Sequence, residues 1–134
     1  MRQEQEIEQK LRSIANHFRW IETALLSEGF RSEADPSERI ENYGLQFFLA
    51  RYSHVPLQAV QIVICALPEE PIHVEVTALK MVFRTLEKVV AEWSISEVEL
   101  LSEDFKVKLS GTILSARKIA SELMPSPQST IIPS

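Results

Sequence analysis

Apolar residues in the first part of the chain recur at the spacing of an α-helix. They follow one another at alternating steps of four and three positions: Ile7, Leu11, Ile14, Phe18, Ile21 and Leu25. Such steps place all of them on one side of a helix as a continuous stripe. Gly29 comes after the last of them, and glycine readily adopts the left-handed conformation that ends helices. The pattern predicts a first helix that ends near Gly29.

Two further helices are predicted before residue 68. Residues 35–38, Asp-Pro-Ser-Glu, supply an N-cap, a proline at the first helical position and a glutamate three residues after the cap. Apolar residues then continue to Tyr52 at nearly every angle around the axis, which indicates a helix covered on several sides. Pro56 opens a third helix up to Leu67, although the β-branched residues within 60–64 suit a buried strand equally well.

The steps of four and three return, without interruption, between residues 72 and 93. The positions are Ile72, Val76, Leu79, Phe83, Leu86, Val90 and Trp93. We therefore predict a long helix at about 72–93. Its polar face is narrow, which is typical of a helix packed between neighbours. This helix is expected to lie at the centre of the fold.

The last predicted helix begins at a capping box, Ser96-Glu97-Val98-Glu99, and ends before Pro125. Part of it is ambiguous, because residues 105–110 alternate between apolar and polar, and Gly111 weakens a helix interior. A β-hairpin around residues 103–104 is the alternative.

These elements predict an all-α fold, a single-domain bundle of four to five helices around the central helix at about 72–93. The helical domain spans residues 1–124, and residues 125–134 form a flexible tail rich in proline and serine. The alternative fold is α+β, with strands near 60–67 and 98–113.

Composition narrows the classes of partner. The net charge is −5, so a broad positive field for nucleic acid is lacking and nucleic-acid binding is disfavoured. No apolar run approaches the length of a membrane span, and the charged N-terminus lacks the apolar region of a signal peptide. Cys65 is the single cysteine and lies in an apolar run, which suggests a buried small hydrophobe. We expect a cytoplasmic protein without a membrane partner.

The search for catalytic or metal-binding motifs yields one partial match. Glu70 and His73 have the Glu-x-x-His spacing of carboxylate-bridged metal sites in helical bundles, but the second such motif is missing. The three glycines are far apart, which disfavours a phosphate-binding loop. No nucleophile motif is present. We therefore expect no metal site, no cofactor and no catalytic residues.

Candidate interface residues lie on the first helix and in the tail. Trp20 falls nearly opposite the apolar stripe, on the same side as His17 and Ala24, and tryptophan is enriched in protein interfaces. In the tail, Ile131 and Ile132 are the apolar residues that could anchor a docking peptide. The regular stripe also suggests a homodimer formed through the first helix.

The function predicted from these features is a non-enzymatic protein–protein interaction module, such as an adaptor, an assembly factor or a regulatory subunit. Its partner is a second protein or another copy of the chain. One alternative is a helix-turn-helix transcription regulator, in which residues 49–56 and 57–63 supply the two helices. The other is a small helical enzyme or ligand carrier whose pocket the sequence does not reveal.

Overall fold

A computed structural model describes residues 2–32, 35, 39–51, 57–66 and 71–124. These residues form an α+β fold, in which a six-stranded antiparallel sheet is combined with four helices. The helices are α1 (Arg2–His17), α2 (Trp20–Leu26), α3 (Glu97–Leu100) and α4 (Glu103–Glu122). The strands are β1 (Arg31–Ser32), β2 (Ile40–Glu41), β3 (Gly44–Arg51), β4 (Leu57–Cys65), β5 (Ile72–Met81) and β6 (Thr85–Ile95).

The strand order is β1-β3-β4-β5-β6, and β2 also pairs with β3. Strands β3 to β6 therefore form a meander in which each strand pairs with the next along the chain. Between β2 and β3 the chain turns through Asn42 and Tyr43, whose φ angles are 51° and 63°. Two successive positive φ angles are typical of the tight turn that suits the right-handed twist of a hairpin.

All the helices pack on one face of this sheet, here called the inner face. Its strand residues are Leu45, Phe47 and Leu49 of β3, Val60, Ile62 and Ile64 of β4, and Val74, Val76 and Ala78 of β5. The helices contribute Leu11, Ile14, Phe18, Ile21, Leu25, Phe105, Leu109 and Ile113 to the same buried cluster. The main core is thus the layer between the helices and the inner face.

The predicted helical bundle is wrong, most clearly at its central helix. Residues 72–93 form most of the β5–β6 hairpin instead. Ile72, Val74 and Val76 alternate with polar residues, and this period of two places them all on the inner face. The steps of four and three arose because both faces of the hairpin carry apolar residues, such as Leu79 on the face opposite Val76.

The second and third predicted helices are also wrong. Residues 44–51 form β3 and residues 57–65 form β4, so the strand considered near 60–67 in the α+β alternative overlaps β4. The other strand of that alternative, near 98–113, is wrong because α3 and α4 occupy it. Both helices are capped, with the side chains of Ser96 and Ser102 accepting backbone N–H bonds.

Two predicted helices are present in the structure. The first is split at Phe18 and Arg19 into α1 and α2, yet the whole stripe from Ile7 to Leu25 is buried as expected. The last, α4, ends at Glu122, close to the predicted end. Within the described residues, no helix is both long and apolar enough to cross a membrane. The predicted tail, residues 125–134, lies outside the described residues.

Candidate functional site

The second face of the sheet, here called the outer face, is not covered by any described helix. Because side chains alternate along a strand, the residues between those of the inner face point to this side. The cluster of buried residues on it consists of Ala50, Ala59 and Leu79, with Phe48 and Leu57 packed against them. All five are strand residues. Within the described residues, this face of the sheet is therefore not used to pack a helix.

One end of this face is apolar. We define the apolar half as Phe48, Ala50, Leu57, Ala59, Leu79, Met81 and Val89. Cross-strand pairs join Ala50 with Ala59, Ala59 with Leu79, and Leu57 with Met81, whereas Phe48 and Val89 pair with the polar residues Gln61 and Thr77. Ala50, Ala59 and Leu79 are buried, the other residues of this half on β3 to β5 are half-buried, and Val89 is 47% exposed. An apolar surface on a face without a helix is typical of an interaction site.

The apolar half leads to the turn between β5 and β6, the hairpin tip, which comprises Val82, Phe83 and Arg84. The side chain of Phe83 is fully exposed, at 102% of its reference area, and Val82 is 44% exposed. The two longest strands of the sheet carry this turn, and the N–H of Val82 donates to the carbonyl of Arg84 across it at 3.1 Å. The fold thus presents an aromatic ring at the end of a long hairpin without using that ring in its own core.

The other end of the outer face is polar. We define the polar half as Gln46, Cys65, His73, Glu75, Glu92 and Ser94. The possible metal-ligating atoms of His73, Glu75 and Glu92 all lie within 4.8 Å of one another. Nε2 of His73 is 3.5 Å from Oε1 of Glu92. The hydroxyl of Thr77 donates to Oε1 of Glu75 at 3.5 Å and helps to orient this carboxylate.

A β-bulge in β6 determines which residues share the polar half. The register shifts between Val76 and Thr77, so that Val90 has no partner in β5. One extra residue reverses the faces of the residues that follow it. Without it, Glu92 would point into the core and Trp93 would point outward. The bulge therefore brings Glu92 to the outer face and Trp93 into the core.

Cys65 lies opposite His73 in the pairing of β4 with β5 and is half-buried rather than fully enclosed. Burial raises the pKa of its thiol above the ordinary value, and the negative charge of Glu75 raises it further. A groove of about 460 Å³ borders this side of the polar half and is lined in part by Cys65, Val63 and Gln46. The raised pKa favours the neutral form of the thiol beside the His–Glu cluster.

The residues predicted as an interface on the first helix lie in the helical layer, on the other side of the sheet. Trp20 begins α2, is half-buried and lies with its ring 6.1 Å from that of Phe18. The ammonium group of Lys106 is 5.6 Å from the centre of the indole, whose buried N–H finds no acceptor among the described residues. His17 is exposed and Ala24 half-buried. Their role in an interface stays a prediction.

Sequence reasoning missed both parts of the outer face. His73 was considered only with Glu70, which lies outside the described residues, as do Ile131 and Ile132. The useful signal was the His73-x-Glu75 spacing, which places both side chains on one face of a strand. It was hidden because the segment was interpreted as a helix.

The chain was also compared with protein-family models, with curated proteins and with solved structures. None of the three comparisons returned a match.

Proposed function

We propose that this chain is a non-enzymatic protein-interaction domain that binds a partner protein through the hairpin tip and the apolar half of the outer face. The observation that carries this proposal is the full exposure of Phe83. Burying a phenylalanine side chain contributes roughly 1.5–3 kcal/mol relative to leaving it in water. That free energy is not used in the fold of the chain and is available for binding.

The surroundings of Phe83 suit an interface. Interfaces obtain most of their binding energy from a few anchor residues set in a surface that excludes water. Val82 flanks the ring, and Met81 and Leu57, neighbours on adjacent strands, continue the apolar surface along the sheet. Methionine adapts its shape readily to different neighbours. Together these residues give an exposed anchor at the hairpin tip and an apolar surface that adjoins it.

The charge of the outer face indicates the chemistry of the partner. On this face β3 to β6 present three glutamates, Glu75, Glu87 and Glu92, and no lysine or arginine. At the edge of the face, Arg31 of β1 lies opposite Ala50, and its guanidinium donates to the carbonyls of Leu26 and Phe30. The chain as a whole carries a net charge of −5. Complementary charge steers association and selects partners. The partner is a protein segment with apolar side chains for the tip and lysine or arginine for the glutamates.

The test places the photo-cross-linking amino acid p-benzoylphenylalanine at position 83 in cells that produce the protein. The control carries it at position 107, because Val107 lies on α4 and is also well exposed, at 71%. A dominant adduct with one other protein at position 83, absent at position 107, supports the proposal. Adding Glu87→Lys should weaken this adduct.

Three other outcomes would overturn the assignment. An adduct with the mass of two chains identifies a second copy as the occupant, and an adduct with lipid identifies a membrane surface. Absence of any specific adduct at position 83 removes the hairpin tip as a binding site.

The identified partner then permits a direct measurement with purified proteins. Phe83→Ser should weaken binding about tenfold or more, because loss of an anchor residue commonly costs about 2 kcal/mol or more. Val107→Ser is the matched control and should leave the affinity unchanged. Both variants should unfold at nearly the same urea concentration as the original chain, since neither side chain is buried.

The fold argues against one alternative function predicted from the sequence and leaves two other predictions untested. The helix-turn-helix hypothesis has lost its structural premise, because residues 49–51 belong to strand β3 and residues 57–63 to strand β4. The homodimer through the first helix and the cytoplasmic location stay predictions. In α1 the described exposed side chains are polar, whereas Ile7, Leu11 and Ile14 face the core.

A further inference from the structure

We propose that His73, Glu75 and Glu92 form a binding site for a divalent transition-metal cation, best represented by zinc. The site lies in the polar half of the outer face. It is independent of the hairpin tip, and it replaces the expectation from the sequence that the chain binds no metal.

The geometry of the three side chains suits one ion. His73 and Glu75 are two positions apart on β5, and Glu92 lies directly opposite Glu75 on β6. Ligand atoms of a tetrahedral zinc site, about 2.1 Å from the metal, are separated by about 3.4 Å. Nε2 of His73 and Oε1 of Glu92 are 3.5 Å apart, which nearly matches this separation. All three groups lie within 4.8 Å of one another, so small rotations of half-exposed side chains would complete the site.

The charges supply a second, independent argument. Glu75 and Glu92 form a direct cross-strand pair, and like charges placed opposite each other destabilise a sheet. The outer face of β3 to β6 has no lysine or arginine beside this pair, and the neighbouring basic side chain on these strands is His73, whose Nε2 lies 3.5 Å from Oε1 of Glu92. A bound cation would turn this repulsion into attraction to a shared ligand.

The bulge at Val90 is a feature of the backbone that also supports a metal site. Bulges serve to re-aim side chains and are frequent beside functional sites. Here the extra residue is what places Glu92 next to Glu75 while Trp93 stays in the core. The hydroxyl of Thr77 bonds to Glu75 and acts as an outer contact of the kind that orients metal ligands.

The donor set selects the type of cation. Imidazole nitrogen favours zinc and other late first-row metals, whereas magnesium and calcium prefer oxygen ligands alone. Three protein ligands leave a fourth position for water or for a group from another molecule.

The experiment titrates tag-free, metal-free protein with zinc chloride by isothermal calorimetry and repeats urea unfolding with and without zinc. We expect one zinc ion per chain, a higher urea midpoint with zinc and no such shift with the same concentration of magnesium. His73→Ala and Glu92→Gln should each weaken binding at least tenfold. Glu87→Gln removes an equal charge from the same face, outside the cluster, and should leave the affinity within twofold.

A further readout separates a metal site from a structural contact. Without metal, Glu92→Gln should raise the urea midpoint, because it removes the repulsion with Glu75, and it should abolish the increase caused by zinc. The proposal is overturned if zinc does not bind, if binding is unchanged in His73→Ala, or if Glu87→Gln weakens it as much as Glu92→Gln. Phe83→Ser, which disables the hairpin tip, should bind zinc normally, so this result and that of the proposed function are distinguishable.

Discussion

At the scale of single residues, the reactivity of the Cys65 thiol depends on the electrostatic environment of the polar half. Its pKa is raised by burial and by the negative charge of Glu75. Only the thiolate reacts with alkylating agents, so a raised pKa slows the reaction near pH 8. We expect slower iodoacetamide alkylation in the folded protein than in urea. Glu75→Gln should speed alkylation of the folded, metal-free protein, because removing the negative charge lowers the pKa of the thiol and raises the thiolate fraction.

The pH profile and a matched variant make this prediction specific. The midpoint of the alkylation rate against pH should move to lower pH in Glu75→Gln, because removing a negative charge favours the thiolate. Glu87→Gln removes the same charge farther along the face and should leave the midpoint nearly unchanged. Equal shifts in both variants would contradict a local effect of Glu75.

At the scale of elements, the sequence predicted the helices far better than the strands. The stripe from Ile7 to Leu25 was readable because each helix buries only one side. The strands were misassigned because the outer face also carries apolar residues, Phe48, Leu79 and Val89 among them, which obscure a period of two. A sheet with apolar residues on both faces thus resembles a helix that is covered on several sides.

The candidate site could not be recognised from the sequence for the same reason, because its residues share a face only if their segments are strands. The spacing of His73 and Glu75 acquires a meaning once β5 is known to be a strand. Glu92 could not be assigned from sequence at all, because its side depends on the bulge at Val90, and a single residue of register reverses the face. The exposure of Phe83 likewise follows from its place in a turn, whereas its helical spacing had suggested a core residue.

Substitution of Gly111 tests how much this glycine weakens helix α4. It lies within the helix, and a Cβ added there would meet no atom within 4 Å beyond the neighbouring residues and backbone of the helix itself. Gly111→Ala should therefore stabilise the protein by about 0.5–1 kcal/mol, because alanine loses less conformational entropy in a helix. Urea unfolding measures the change. Gly44→Ala is the contrasting variant, since its Cβ would lie 3.3 Å from the carbonyl oxygen of Glu41, and it should destabilise the fold. A destabilised Gly111→Ala variant would contradict this account.

At the scale of the whole molecule, helices and sheet share one core, and this predicts a single cooperative unfolding transition. Both tryptophans of the chain contact the first turn of α4: Trp93 lies 5.1 Å from the ring of Phe105, and Trp20 lies beneath Lys106. Tryptophan fluorescence therefore reports the docking of α4, whereas far-ultraviolet circular dichroism reports all helices and strands. The two urea transitions should coincide.

Phe105→Ala should shift both transitions together to lower urea. Phe105 is 2% exposed, and truncation of a buried phenylalanine to alanine costs about 3–5 kcal/mol. Val107→Ala, on the exposed side of the same helix, should change stability by less than about 0.5 kcal/mol. If fluorescence were lost at a lower urea concentration than circular dichroism, α4 would undock while the rest of the fold persisted. In that case the helical layer would be a separately opening unit, and the inner face, as well as the outer one, would become accessible to a partner.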